Sequence, residues 1–456
     1  ACMILSRDKG FYKQIARLTG FIALQNVITC MVGLVDNIMI GGYSQNALSG
    51  VTLANQVQFF LQMLVGGVAE GMGVLVAQYW GAKRLEPVKK VLAIALTLAT
   101  AMAALLFALA LALPQGVLGL LTADGEIIAE GAGYLRIVCF SYVPFCIGNV
   151  LVCAQRCVEK VKVGTYAVLS GLLVNVVLNY GLIYGRLGLP ELGARGAAIA
   201  TLLARLVEAG IVVAYTYGLD KRLALGWRNL CRLDKPLFKD FLRVGTPVFL
   251  ASASWALAMT VQTGILGHLG NNAVAANAIA NSLFQVVSVV CYGMASASSI
   301  LIGKAVGRDD RTRLKEYVDT LQVLFLGVGL LSGACMFLLR GVIVQAFQVT
   351  PEARQMAEGF ITVLSVTLVG TSYQCPCLTG IVRGGGNTKF VFYNDLVFMW
   401  GIVLPLSLLS AFVFHWDPVW VFVCLKADQV LKCFVAVYEV NSYHWIKKVT
   451  RDEAAL

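Results

Sequence analysis

The chain has 456 residues, of which 58% are hydrophobic and 13% charged, with 36 Lys and Arg against 25 Asp and Glu and a formal net charge of +11. Soluble domains average about 45–50% apolar and about 25% charged residues. Together with a mean hydropathy of +0.77, these figures exclude a soluble enzyme, a disordered chain and a nucleic-acid-binding domain, and point to an integral membrane protein whose first partner is the lipid bilayer.

A membrane-spanning helix needs about 20 mainly apolar residues. Twelve segments qualify, at 15–41, 47–79, 90–113, 128–154, 164–185, 196–218, 244–268, 273–305, 317–339, 355–382, 389–413 and 418–445. The longest must tilt or project beyond the bilayer. The connectors carry turn chemistry: Gly41-Gly42, Ala123-Asp124-Gly125, Gly270-Asn271-Asn272 and Gly384-Gly385-Gly386-Asn387. The N-terminus lacks a signal-peptide pattern, because charged residues follow Met3 at once.

Lys and Arg mark the cytoplasmic side of a membrane protein. With the N-terminus placed inside, 28 of the 36 basic residues fall in the termini and cytoplasmic connectors. The opposite loops hold only Arg186, Arg195, Arg340 and Arg354. Both termini are therefore expected in the cytoplasm, and the basic surplus reports topology rather than a polyanion ligand. The thirteen cysteines lie mostly in apolar runs and read as small buried residues. Cys375-Pro376-Cys377 is too tight for a usual metal clip, and His268, His415 and His444 stand in no catalytic motif.

The two halves repeat. Segment 35–57 (VDNIMIGGYSQNALSGVTLANQV) matches segment 261–283 (VQTGILGHLGNNAVAANAIANSL) at an offset of 226 residues. Gly41, Asn46, Asn55, Gly67 and Gly81 fall on Gly267, Asn272, Asn281, Gly293 and Gly307. Arg156 and Lys162 later fall on Arg383 and Lys389. Six helices repeat in the same orientation, a parallel repeat typical of transporters. The expected domains are an N-lobe at 1–219, a basic linker at 220–243 that includes an amphipathic surface segment, and a C-lobe at 244–456.

Ionisable groups within spans are costly and stand out. Asp36 has no basic residue one turn away, and its counterpart is the uncharged Gln262. It either serves a cation or proton or touches outer water at a helix end. Asn175 and Asn179 share one face of the fifth helix, as Ala197 and Thr201 do on the sixth. Arg205 with Glu208, and Asp428 with Lys432 near Lys426, have the spacing of ion pairs. Glu70 shows no evident partner and is a second choice for a protonatable group. Arg136 is expected to bond carbonyls across a helix interface, and Asp395 to meet Lys389.

The stretches VDNIMIGG, GVLVAQYWGAKR, LGNNAVAANAIANSLFQ, ASSILIGKAVGR and IVRGGGNTK resemble the multidrug and toxic compound extrusion (MATE) family across essentially the whole chain. NVVLNYGLIYGRLGLPELGARGAAIAT is most similar to the NorM branch. The resemblance implies an all-α membrane protein of twelve helices in two pseudo-symmetric lobes arranged as a V. It implies a monomeric antiporter in the bacterial inner membrane, exporting organic, cationic or amphipathic compounds in exchange for inward Na⁺ or H⁺, with no cofactor. It also implies a cation site at Asp36, Asn175, Asn179, Ala197 and Thr201, able to take Na⁺. One carboxylate among neutral oxygens suits a monovalent hard cation. Met31, Met72, Trp255, Met259, Tyr292, Met294 and Tyr373, with Glu70, stand on helices that line the family's substrate cleft. Two features depart from the family: the seventh helix has Trp255 near the place of a common Glu, which argues against a C-lobe cation site, and Phe21 stands where the repeat has Pro247. The alternative is a lipid-linked saccharide flippase of the same superfamily, which would favour several buried cationic residues facing a cleft, with Arg136, Arg205 and Lys426 as candidates.

Overall fold

The computed structural model describes residues 3–223, 225–226, 228 and 233–452, and among them there is helix and no strand. Among the described residues, eleven helices are long and apolar enough to cross a membrane. In order they are helix 1 (Lys9–Tyr43), 2 (Gln45–Gly81), 3 (Leu85–Ala112), 4 (Gly125–Cys157), 5 (Val161–Tyr184), 6 (Ala194–Leu219), 7 (Lys235–His268), 8 (Asn271–Arg308), 9 (Arg311–Gln345), 10 (Pro351–Val382) and 11 (Thr388–Val413). The 38 residues of helix 8 reach roughly 57 Å at the α-helical rise, so it extends well past a hydrocarbon core of about 30 Å.

The twelfth expected span is present as two pieces, Pro418–Leu425 and Ala427–Ser442. The break falls on Lys426, at φ −107° and ψ 6°, whose ammonium sits 5.6 Å from the Phe422 ring centroid. A lysine folded back over an aromatic face gains cation–π attraction in an apolar setting. Together the pieces are helix 12.

Of the expected connectors, Gly41-Gly42 lies inside helix 1 rather than in a turn, whereas Asp124 stands at a helix start as its residue type favours. Asp124 caps helix 4 by accepting from Glu126 N and Ile127 N, Thr350 caps helix 10 and Asp417 caps helix 12. Wide π-helical turns begin at Pro376 in helix 10 and run over Val397–Val403 and Leu409–Val413 in helix 11. Proline lacks an N–H and crowds the preceding turn, which favours such local rewinding where Pro376 and Pro405 stand.

Packing divides the chain into two compact units. One comprises Leu24–Val76 and Arg84–Phe249, the other Ala1–Ala23, Ala77–Lys83 and Leu250–Leu456. In the first, helix 1 is riveted to helix 5 at both ends. Gln25 Nε2 donates to Val161 O at 2.9 Å and Thr165 Oγ1 at 3.1 Å, and Tyr184 OH donates to Met39 O at 2.6 Å. Between the rivets, Ile28 and Val32 pack on Leu172, flanked by Val168 and Val176. The Gln25 carbonyl is taken by the Arg156 guanidinium.

In the second unit, a continuous apolar core joins Ala258, Ile265, Phe360, Leu364, Val403 and Phe422, with Phe360 and Phe422 stacked at 4.3 Å. The ends of helices 2 and 8 cross at backbone contact. A Cβ on Gly81 would lie 2.1 Å from Lys304 O, and one on Gly307 2.0 Å from Gln78 O. Both terminal segments are tied down: Ser6 N donates to Thr320 Oγ1, Phe11 stacks on Tyr317, and Val449 N donates to Gln78 Oε1.

Several expectations are corrected. Asp395 pairs with Lys432 at 2.9 Å, not with Lys389, because helix 12 packs beside it. Arg136 is exposed rather than bonded across an interface. Cys30 and Cys335 are exposed, while the other described cysteines are buried or half-buried and all are free thiols. Residues 224, 227 and 229–232, within the expected amphipathic linker at 220–243, lie outside the described residues.

Candidate cation site

The apolar stripe Ile28–Val32 that seats helix 1 on helix 5 continues one turn further to Asp36. A periodic face therefore carries the carboxylate inward rather than out to water. Asp36 is 6% exposed, and Asn175 and Asn179 are fully buried. The end-of-helix reading of Asp36 is thus overturned by the packing of helix 5.

Helix 6 reaches the same point because glycine lets it approach. A Cβ on Gly196 would meet Leu182 O of helix 5 at 2.5 Å. Gly171 of helix 5 likewise makes room for the Glu208 side chain, 2.1 Å from where its own Cβ would be. Such close helix approach is what small residues supply in membranes. It places the buried Ala197 and, one turn on, Thr201 beside the asparagines.

The polar atoms converge on one carboxylate. Asn179 Nδ2 donates to Asp36 Oδ1 and, at 3.1 Å, to Asn175 Oδ1. Thr201 Oγ1 donates to Asp36 Oδ2 at 3.5 Å, and Asn175 Nδ2 lies 3.5 Å from Thr201 Oγ1. The Asn179 carbonyl oxygen is left buried with no hydrogen-bond partner. An unmet buried acceptor costs on the order of 1–3 kcal/mol, and a bound cation beside Asp36 would relieve it. Among the described residues no group of three or more His, Cys, Asp and Glu could hold a metal ion. The oxygens here are one carboxylate and neutral groups, which suits a single positive charge.

Two neighbours were not singled out as partners of Asp36 from the sequence. Arg205 of helix 6 pairs with Glu208 at 2.9 Å, as its spacing predicts, and also acts electrostatically on Asp36. Tyr134 of helix 4, 1% exposed, lies within hydrogen-bond reach of Thr201 and within the field of Asp36, and donates to Asn55 at 3.4 Å. Asn55, picked out only as a repeat match, offered an indirect signal. Nothing in the sequence pointed to Tyr134.

The expected cavity residues differ in burial. Met72 and Met294 are buried core residues, Met259 packs against the second unit's core, and Met31, Trp255 and Tyr292 are exposed. Tyr373 donates to Gln322 at 2.8 Å. Glu70 is exposed yet not isolated, since it acts electrostatically on Arg156.

The MatE family model matches two stretches of the chain, residues 22–181 and 247–409. The chain belongs to the MatE family. The two matches coincide with the two halves of the internal repeat. A Thermotoga maritima protein named "Probable multidrug resistance protein NorM" is 25% identical over 94% of this chain and 92% of its own length. One of the same name from Xylella fastidiosa is 26% identical over 87% and 84%. A crystal structure of a MATE protein in complex with MaL6 superposes with a TM-score of 0.85 at 20% identity, covering 94% of this chain and 96% of that one. A MOP superfamily transporter from Pyrococcus furiosus, described as having a binding pocket of reverse polarity, gives a TM-score of 0.85 at 20% identity, covering 96% of this chain and 97% of that one. This MatE protein is therefore a NorM-like membrane transporter of the multidrug efflux family, and its relatives are transporters rather than enzymes.

Arg205 gives the first expected outcome. Its charge competes with any cation at Asp36, whereas removing it alone would leave the half-buried Glu208 carboxylate without its ion-pair partner. The double variant Arg205→Gln/Glu208→Gln should therefore keep the fold and bind a monovalent cation several-fold more tightly. Isothermal titration of purified protein with Na⁺ checks this.

Proposed function

We propose that this transporter is an antiporter that exports organic, cationic or amphipathic compounds in exchange for an inward monovalent cation loaded at Asp36. The observation that carries the reading is the convergence of Asp36, Asn175, Asn179 and Thr201, with a buried Asn179 carbonyl awaiting a partner. Ala197 completes the set through its backbone carbonyl. Occupancy of the site biases the two repeats between outward- and inward-open states of different affinity for the cargo. The repeats, at 1–219 and 244–456, are the moving halves of a monomer with both termini in the cytoplasm of a bacterial inner-membrane protein.

Na⁺ is favoured over H⁺ as the ion at this site. A proton needs one carboxylate oxygen, whereas the neutral amide and hydroxyl oxygens grouped here can replace part of a hydration shell. Asn179→Ala is expected to weaken Na⁺-driven export of ethidium from reconstituted vesicles by about tenfold or more. That corresponds to about 1.4 kcal/mol of lost ion binding. It should leave any export driven by a pH gradient alone unchanged, and equal loss of both modes would exclude Na⁺ as the ion.

The flippase alternative needs several buried cationic groups facing a cleft. Arg205 is paired with Glu208, Lys426 lies over Phe422, and Arg136 is exposed, so no observation favours it.

A further inference from the structure

Beyond helix 12 the backbone turns back toward the ends of helices 2 and 10. Tyr443 makes the turn in the left-handed region, at φ 57°. Trp445 follows, fully buried, with its indole N–H donating to Val440 O at 3.0 Å.

The connector after helix 10 forms a seat for this segment. Its three glycines each answer a different neighbour. A Cβ on Gly384 would lie 2.8 Å from Ser299 Cα of helix 8, and one on Gly385 2.1 Å from the Trp445 ring. Gly386, at φ 103°, would put a Cβ 2.3 Å from Lys447 O. Lys447 N donates to Gly385 O at 2.8 Å, and its ammonium to Asn387 Oδ1 at 2.9 Å. Segment 445–451 is thereby fixed to the second repeat.

Its other side holds helix 2 of the first repeat. Gln78 is fully buried. Its Nε2 donates to Lys447 O at 3.2 Å, and its Oε1 accepts from Val449 N at 2.9 Å. An amide tip carries both a donor and an acceptor, so one side chain holds a backbone C=O and N–H at once. Arg451 N donates to the Tyr79 hydroxyl at 3.2 Å. The repeat counterpart of Gln78 is Lys304, whose ammonium cannot accept from a backbone N–H.

Position gives these bonds their meaning. The backbone carbonyl of Gln78 is the atom that a Cβ on Gly307 would meet at 2.0 Å, where helices 2 and 8 cross. The residue at that crossing is thus also the one that grips segment 445–451. All of these groups lie in one packing unit, which holds Ala77–Lys83 with Leu250–Leu456. We infer that segment 445–451 is a latch on the helix 2–helix 8 crossing, with Gln78 as its catch. Bonded, it holds the two helix ends together; released, it lets them part. The latch rests on the proposed alternation of the two repeats, since helix 2 must leave helix 8 for the repeats to separate at this end. It makes no use of Asp36 or of any ion.

Hydrogen–deuterium exchange of the full-length protein in phosphatidylcholine nanodiscs, read by mass spectrometry, tests the latch without an ion gradient or a transported compound. Gln78→Ala removes both side-chain bonds, and Val449→Pro removes the N–H donor without altering helix 2. Each is expected to raise exchange about tenfold or more at 445–451 and at 300–308, as a local opening of both segments requires. Exchange at 360–370, in the core of the same unit, should stay unchanged. Where Gln78→Ala does not fold, Val449→Pro decides alone. Faster exchange at 445–451 with 300–308 unchanged would overturn the latch, because the segment would then only cover the crossing. Unchanged exchange at both, or an equal rise at 360–370, would overturn it as well. Loss of the antiport reading in the ethidium assay would leave these rates as they are.

Discussion

Export of ethidium by vesicles carrying Asp36→Asn should fall to the level of empty vesicles under an imposed Na⁺ gradient, while the amount and monodispersity of the purified protein stay unchanged. The amide has the shape of the carboxylate: its oxygen can still accept from Asn179, and its NH2, standing where Oδ2 was, can donate to the Thr201 hydroxyl instead of accepting from it. What disappears is the single negative charge of a site whose other oxygens are neutral, and without it nothing offsets the cost of dehydrating a cation. Thermal stability is expected to hold or rise, since a buried charge without a bound counter-ion is itself unfavourable. Flux of the variant at the wild-type rate with full ion dependence would remove Asp36 from the coupling mechanism.

The second large effect is structural. Gly81→Val and Gly307→Val should each abolish recovery of folded protein, and Gly81→Ala and Gly307→Ala should each cost about 1–3 kcal/mol or more, the usual penalty of overpacking. A new methyl would stand 2.1 Å from Lys304 O or 2.0 Å from Gln78 O. Backbone cannot yield there as a flexible side chain would. The two glycines are repeat counterparts in the stretches GVLVAQYWGAKR and ASSILIGKAVGR, so each repeat contributes one half of a single crossing. Fluorescence-detected size-exclusion after graded heating checks this, and unaltered stability of Gly81→Ala would mean that helices 2 and 8 do not meet at this point. Gly264→Ala, with no atom within 4 Å of its Cβ position, is the matched control.

Much of the fold was legible in the chain, because a bilayer imposes one-dimensional rules. Apolar length set the spans to within a few residues at most ends, turn and cap residues set the connectors, and the offset of 226 residues set the duplication. The twelfth span was the exception. Hydropathy over 418–445 is continuous, but Lys426 folds onto Phe422 and breaks the helix there. The polar centres were half legible. Asn175 and Asn179 are i and i+4 on one helix, and Arg205–Glu208 and Asp428–Lys432 are pairs along a helix, so helical geometry alone brings them together. Asp395–Lys432, Tyr134 beside Thr201, and the burial of Met72 and Met294 depend on which helices touch, and no spacing within one helix encodes that.

The sequence by itself determined that this is a helical membrane transporter built from a parallel repeat, and that Asp36 is an acid without a repeat counterpart. Only the tertiary structure decided where that acid sits and which groups surround it. Its fate hung on whether helix 1 turned it toward water or toward helix 5, a choice made by Ile28 and Val32 packing on Leu172 and by the close approach of helix 6 through Gly196. Composition and periodicity report the solvent a residue must face. Which polar atoms share a buried site is fixed by side-chain packing between segments more than a hundred residues apart, and that is decided only when the chain closes on itself.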